Sequence, residues 1–362
     1  MTGKRIGFAV TNDISMDQRM GRICRVLHDH GYRVEITGRR RKKSLPLPDQ
    51  PYDQQRLRCL FNKGPLFYIE FQIRLLFFMM FRPRCHIYGA VDLDTLPAMW
   101  VISKLRRSKL LFDAHEIFDE VPELSQKPFV RMVWRRIGKW MVPSASYCWT
   151  VNQSLADRFK KDWKKDFVVI RNLPEAGLKR GMNEKIDRLI LYQGRVNVGR
   201  GLEEAIETMR FLPNFKLVIA GGGDIEDQLR YRVYNLGLKN VEFTGDLKPE
   251  ELQEYTAKAW LGLNLLDDRS GNYYYSLANK FFDYMAFGIP SLSMDFPEYR
   301  LINEKHKFSI LLKGITPLEI CRAVENLHSD PDKYASLSRN ASQAYQVLNW
   351  ENESKKVIRA IQ

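Results

Sequence analysis

The sequence predicts an α/β protein of two consecutive domains, each a parallel sheet flanked by helices. Three observations carry this expectation. Short β-branched or apolar runs alternate with longer stretches of helical periodicity. The alternation runs through one series and then restarts, with a polar, Pro- and Gly-containing stretch at 172–183 between the two. The chain, at 362 residues, is too long for one ordinary domain. The expected division is 1–172, 173–345, and a last helix within 346–362 that returns to the first domain.

In the first series, residues 5–10 read as an opening strand. Residues 18–30 read as a helix with Ile23, Val26 and Leu27 on one face and Gly31 as its stop. Residues 33–37 form the next strand, and 86–88 and 110–112 are short buried strands around a helix at 96–105. Residues 147–151 are another strand, and Asn152 to Ser154 has the composition of a helix N-cap. In the second series, strands are expected at 189–192, 216–220, 241–244, 261–265 and 291–294. Helices are expected at 202–209, 225–236, 249–258 and 280–287. The helix at 351–361 is charged on one face.

Composition narrows the function. Charged residues at 28% beside 44% hydrophobic ones exclude a disordered chain. Lys and Arg number 57 against 43 Asp and Glu, a net +14 that suits nucleic acid, an anionic membrane surface or phosphorylated substrates. No recognisable nucleic-acid module is present, so nucleic acid is not the expected partner. The five cysteines are dispersed and form no C-x-x-C, which fits a reducing compartment and argues against a zinc site. The N-terminus reads as a strand and not a signal peptide, so a cytoplasmic location is expected. The longest apolar stretch, 66–81, is interrupted by Glu70, Gln72 and Arg74 and is shorter than the ~20 residues of a spanning helix. It reads first as a buried helix. The alternative is a helix dipping into a membrane interface, with basic clusters at 39–43, 104–109, 135–139 and 160–165 beside it on an anionic surface.

Three motifs carry chemistry. A strand ends at Tyr192 and a helix begins near Gly201; between them lie Gly194, Arg195, Gly199 and Arg200. Glycines admit close approach of a ligand to the backbone, and two guanidiniums can grip a diphosphate. The second motif, Gly221-Gly222-Gly223-Asp224, follows a strand and can lie against a base or ribose. The third is 272–290, where a polar loop enters a helix near Ser276, a residue able to cap free amides. Lys280 and Asp283 share a face of that helix, a cation for phosphate beside a carboxylate for hydroxyls.

In the order and spacing of these motifs the chain resembles the family 4-like retaining glycosyltransferases of B-type architecture, two Rossmann-like α/β/α domains facing across a cleft. The shared order is G-R-x(4)-R-G at 194–201, a strand ending in three glycines, V-x-F-x-G at 241–245, and a helix ending in A-x-G-I-P. Of the family's E-x(7)-E pair, the second glutamate falls at Asp283 and the first at Tyr275. The variant S-L-x-N-K-x-x-[DE]-Y matches Ser276, Leu277, Ala278, Asn279, Lys280, Asp283 and Tyr284. Residues 10–19, 92–96 and 113–123 resemble the opening and acceptor-side loops. Many members keep a histidine where Val91 stands.

The resemblance implies transfer of a sugar from a UDP- or GDP-sugar to a glycan or lipid-linked acceptor in cell-surface polysaccharide synthesis. It implies Arg195 and Lys280 for charge on the leaving phosphate, with Arg200 in support. Asp283 would hold the ribose, Gly222 and Gly223 would line the nucleoside, and His115 and Glu116 would serve the acceptor side. It implies no cofactor and no obligatory metal. The competing readings are a sugar-nucleotide epimerase and a non-catalytic sugar-nucleotide-binding partner.

Overall fold

Strands buried on both faces, such as Ile87–Val91 and Leu189–Gln193, need helices above and below them. The computed structural model describes residues 3–42, 44–120, 127–177, 185–268 and 271–362, without the side chains of Met16 and Asp119. Lys43, 121–123 and 178–183, all singled out above, lie outside the described residues. The chain divides into one unit of Met1–Asn172 with Glu353–Gln362 and another of Leu173–Asn352. Residues 346–352 thus belong to the second unit, and only the rest of the C-terminal segment joins the first.

The first unit holds β1 (Arg5–Ala9), β2 (Arg33–Arg40), β3 (Asp53–Arg58), β4 (Ile87–Val91), β5 (Lys109–Ala114), β6 (Tyr147–Thr150) and β7 (Val168–Val169). They form a parallel sheet in the order β3-β2-β1-β4-β5-β6-β7. β3, DQQRLR, has no apolar alternation; it is a half-exposed edge held by six-residue pairing with β2. Asp17 caps the Gln18–Asp29 helix, which buries Met20, Ile23, Cys24 and Leu27. Asn152 caps Gln153–Trp163 by accepting from Leu155 N.

Two expectations for this unit need correction. Arg39 is not part of a solvated cluster: it ends up buried on β2, donating to Asn62 and lying 3.9 Å over the Phe67 ring. The Pro65–Phe81 helix is buried on only one stripe, Phe67, Phe71, Leu75 and Met79, because only that face meets the sheet and neighbouring helices. Among the described residues no helix is long and apolar enough to cross a membrane.

The second unit holds β8 (Leu189–Gln193), β9 (Lys216–Ala220), β10 (Val241–Gly245), β11 (Leu261–Asn264), β12 (Ser291–Met294) and β13 (Ser309–Leu312). The order is β10-β9-β8-β11-β12-β13, all parallel. In each unit the strand order reverses beside the first strand, between β1 and β4 and between β8 and β11. Such a switch point opens a crevice at the carboxyl ends of the strands, where ligands of open α/β sheets bind. The helix Asn279–Ala286 is fixed to the second sheet by Tyr284, whose hydroxyl lies 3.0 Å from Leu191 O and 3.3 Å from Leu263 O. The last helix, Trp350–Arg359, begins in the second unit, where Trp350 N donates to Pro174 O. It ends in the first, where the Glu353 carboxylate accepts from Arg171 N and Val357 and Ile361 are buried.

Candidate functional site

The second unit's crevice is built from two touching turns. β8 ends at Gln193 and the chain swings through Gly194 (φ 126°); β9 ends at Ala220 and swings through Gly221 (φ 133°). Gly194 N donates to Ala220 O at 2.9 Å, and Val196 N to Gly222 O at 3.0 Å. A Cβ at Gly221 would lie 2.1 Å from Gly194 O, and one at Gly223 2.1 Å from Val196 O. Only glycine permits this approach, so the first task of the three glycines is to seat one loop on the other.

Lys280 projects to this junction from the first turn of Asn279–Ala286. Its Nζ is buried, has no hydrogen-bond partner among the described residues and sits 3.7 Å over the Tyr192 ring. A Cβ on Gly194 would be 3.6 Å from Lys280 Cε, so the bare glycine leaves the ammonium facing the turn. Burial, then the nearby Arg200 guanidinium, push the amine well below the ordinary lysine range, against the opposing pull of Asp283. Ala278 is the N-cap residue of this helix and supplies no side-chain acceptor. Ser276 is not the cap: it lies two residues before the N-cap Ala278, and its hydroxyl donates to Tyr273 O at 2.8 Å. Ala278 N donates to the Tyr299 hydroxyl, Leu277 packs against the core and Asn279 is exposed. A buried cation and uncapped amides at one helix start form a site for a phosphate-like anion.

The other expected residues stand around this centre. The Asp283 carboxylate accepts from Gln193 Nε2 at 2.9 Å, and Gln193 Oε1 accepts from Thr256. Arg195 is exposed and lies 3.5 Å from Asp246, whose carboxylate also accepts from Gly222 N at 2.8 Å. Arg200 lies over the Tyr273 ring, and the Tyr273 hydroxyl donates to Val198 O. The structure thus brings Gly194, Arg195, Gly222, Gly223 and Lys280 together, with Asp283 joined through Gln193. Tyr192 and Gln193 open the glycine–arginine motif but carry no site role in the sequence, and Asp246 lies outside all three motifs. Asp246 directly follows the V-x-F-x-G strand, which was the one available signal for it.

The first unit has its own polar centre at the ends of β4 and β5. Arg19 grips Asp113 with two nitrogens, at 2.8 and 3.1 Å, and also donates to Ile170 O and Asn172. His115 Nε2 is 3.0 Å from Asp113, and its Nδ1 is 3.6 Å from Asp92. Burial pulls the imidazole down, but Asp113 and Asp92 outweigh it and hold the pKa up at about 9. A pKa of about 9 favours the doubly protonated ring at neutral pH, with Nε2 donating to Asp113; Arg19 Nε lies 3.0 Å from the same nitrogen. Burial would raise Asp113, yet Arg19 and His115 keep it well below the usual carboxylate range. Asp94, raised well above that range by burial and by Asp92, accepts from Thr11 at 2.5 Å. Glu116 is exposed. Arg19, Asp92 and Asp113 lie in the loops flagged in the sequence, although only His115 and Glu116 were named there.

Residues 179–344 match the family described as Glycosyl transferases group 1. That match spans most of the second unit, Leu173–Asn352. Solved structures extend the likeness over the whole chain. A sucrose-phosphate synthase from Thermosynechococcus elongatus aligns over 98% of each chain with a TM-score of 0.77 at 17% identity. Anabaena HepE, solved with UDP and glucose, aligns over 98% of each chain at 0.75 and 14% identity. A putative UDP-N-acetylglucosamine 2-epimerase from Listeria monocytogenes aligns over 99% of this chain and 96% of that one at 0.65 and 12% identity. No curated protein matches the sequence. The fold of this chain is the B-type glycosyltransferase fold, two Rossmann-like units each with one parallel sheet.

Proposed function

We propose that the protein is a retaining glycosyltransferase. It transfers a sugar from a UDP- or GDP-sugar to a glycan or lipid-linked acceptor, in the cytoplasm, during synthesis of a cell-surface polysaccharide. One observation carries the donor site: the buried Lys280 amine, without a hydrogen-bond partner among the described residues, at the uncapped start of Asn279–Ala286 beside Gly194. A nucleoside diphosphate supplies what that site lacks, an anion. HepE, which was solved with UDP and glucose, has the same fold and supports this choice of ligand class.

In this reading Lys280 and the helix amides take the diphosphate, and Arg195 swings from its weak surface contact with Asp246 to join them. Asp283, oriented by Gln193, accepts from the ribose hydroxyls. As the glycosidic bond to phosphate breaks, negative charge grows on the leaving oxygen, and Lys280, the helix amides and the recruited Arg195 stabilise it. The diphosphate itself receives the acceptor's proton on the same face of the sugar, so no protein nucleophile is assigned. His115 and Glu116 serve the acceptor side, and the reaction uses no resident cofactor or obligatory metal.

The test is a thermal-shift titration with nucleoside diphosphates and nucleotide sugars, followed by turnover of the stabilising donor. Stabilisation of about 2.7 kcal/mol is expected near a hundredfold excess over Kd. Stabilisation by UDP or GDP with release of free diphosphate from the sugar donor supports the reading. Conversion of the donor to an epimer favours the epimerase instead. No response to either diphosphate overturns the donor site.

A further inference from the structure

We infer that the first unit carries a bilayer-docking face, formed by the outer sides of the Pro65–Phe81 and Pro128–Met141 helices, that seats on anionic phospholipid. The inference stands on this surface alone and does not depend on the glycosyltransferase reading.

The Pro65–Phe81 helix is apolar save for Glu70, Gln72 and Arg74, yet only one stripe of its apolar surface is covered. Its outer stripe, Leu66, Ile69, Ile73, Phe77, Met80 and Phe81, recurs at helical spacing and is 42% to 85% exposed. At 1.5 Å per residue this stripe runs about 25 Å. Exposed apolar residues scattered singly need no explanation; a continuous ridge of this length marks an interaction site. The one acid of this helix, Glu70, is engaged by Arg74 and by the amides of Leu60 and Phe61.

The Pro128–Met141 helix repeats the pattern. Phe129, Met132, Val133 and Trp140 are exposed, while Trp134 and Gly138 face inward. The two helices belong to one layer: Tyr68 meets Trp134 edge-on at 5.5 Å, and Trp100, on the intervening Leu96–Leu105 helix, lies 5.1 Å from Trp140. A shallow depression of about 530 Å³ opens beside Trp140, lined also by Arg136, Ile137, Lys139 and Met141.

Charge identifies the occupant. Over residues 65–84, 96–109 and 127–141 there are twelve Lys and Arg and one acid, Glu70. Arg135, Arg136 and Lys139 are exposed alongside the apolar stripe of their own helix, and Lys104, Arg107 and Arg84 are exposed on neighbouring segments. An apolar ridge bordered by cations and almost free of acids matches the acyl and anionic headgroup layers of a membrane surface. Shallow apolar insertion plus basic attraction is the two-signal form of reversible attachment. Trp140 and Phe81 are aromatic side chains of the kind that anchor at that boundary.

The test is flotation of the full chain with vesicles of phosphatidylcholine alone or mixed with phosphatidylglycerol. Binding is expected to the mixed vesicles only, and to fall steeply at about 1 M salt, where the screening length is about 3 Å. The triple variant Arg135→Gln/Arg136→Gln/Lys139→Gln should bind about a hundredfold more weakly. The double variant Ile73→Ser/Phe77→Ser should lose about tenfold or more. Both should melt like the parent, since the altered side chains are exposed. Emission from Trp140 should be quenched by brominated acyl chains, and the Trp140→Phe variant should lose that quenching. Failure of the parent to float with mixed vesicles overturns the inference. So does equal flotation by parent and both variants. A self-association that Ile73→Ser/Phe77→Ser abolishes, without vesicle binding, would make the ridge a protein interface and overturn it equally.

Discussion

Replacing Lys280 with methionine should weaken nucleoside diphosphate binding sharply while leaving the fold as stable or more so. The Lys280 Nζ is buried, lacks a hydrogen-bond partner among the described residues and lies 3.7 Å over the Tyr192 ring. Its pKa in the folded protein is well below the ordinary 10.5. Between that lowered value and 10.5 the unfolded chain binds a proton that the folded one does not, so this lysine destabilises the fold as pH falls through the window. Methionine fills similar space without a group that needs solvation, so the melting temperature should hold or rise.

Diphosphate binding reverses the situation. A phosphate oxygen against Nζ favours the ammonium, raises its pKa and draws a proton from solvent. A charge-assisted hydrogen bond of about 1.5–3 kcal/mol corresponds to a loss of roughly ten- to a hundredfold in affinity for Lys280→Met. Titration calorimetry of UDP or GDP near pH ~8, above the second phosphate ionisation at ~6, reports proton uptake directly. Measured in two buffers of different ionisation enthalpy, the parent should take up more proton on binding than the variant. Equal uptake by both, or a variant with undiminished affinity, would refute this reasoning.

Other outcomes follow from the same geometry. Arg195→Ala should reduce turnover markedly, yet change stability by no more than about 1 kcal/mol, because its contact with Asp246 is exposed; activity and melting curves measure the two. Gly223→Ala should abolish diphosphate-induced stabilisation in a thermal-shift assay, since the new Cβ would lie 2.1 Å from Val196 O and force the two turns apart. Asp113→Asn should destabilise the first unit by about 3–5 kcal/mol in denaturant unfolding, because it leaves the buried Arg19 guanidinium short of its counter-charge. The His115 imidazole, with its folded pKa raised from 6.5 to about 9, contributes stability that is full below 6.5 and is lost as pH rises through 9. NMR titration should find that pKa, and His115→Gln should flatten the stability profile over this interval.

Much of the fold was legible because central strands of parallel sheets are apolar on both faces and interrupt helical periodicity plainly, as 189–193 and 216–220 do. β3 was invisible, since an edge strand written DQQRLR carries no apolar pattern and takes its form from β2. The glycine turns and Lys280 could be read from spacing; that Lys280 is buried against Tyr192 could not, because the contact joins residues 88 positions apart in a packed core. Ser276 was misjudged as a cap because capping composition says nothing of a competing acceptor, here Tyr273 O. The Arg19–Asp113–His115 centre is likewise a product of topology, which brings the ends of β4 and β5 to the first turn of a helix far back in the chain.

The divided last helix has a consequence for biosynthesis. The second unit is one uninterrupted stretch, 173–352, whereas the first needs Glu353–Gln362 in addition to its opening 172 residues. As the polypeptide emerges from the ribosome, the unit that begins first is finished last. The slots for Val357 and Ile361, both buried in the folded protein, stay unfilled until residues 353–362 have been made. The second unit therefore has its whole sequence before the first does, and residues 353–362 then supply what the first still lacks.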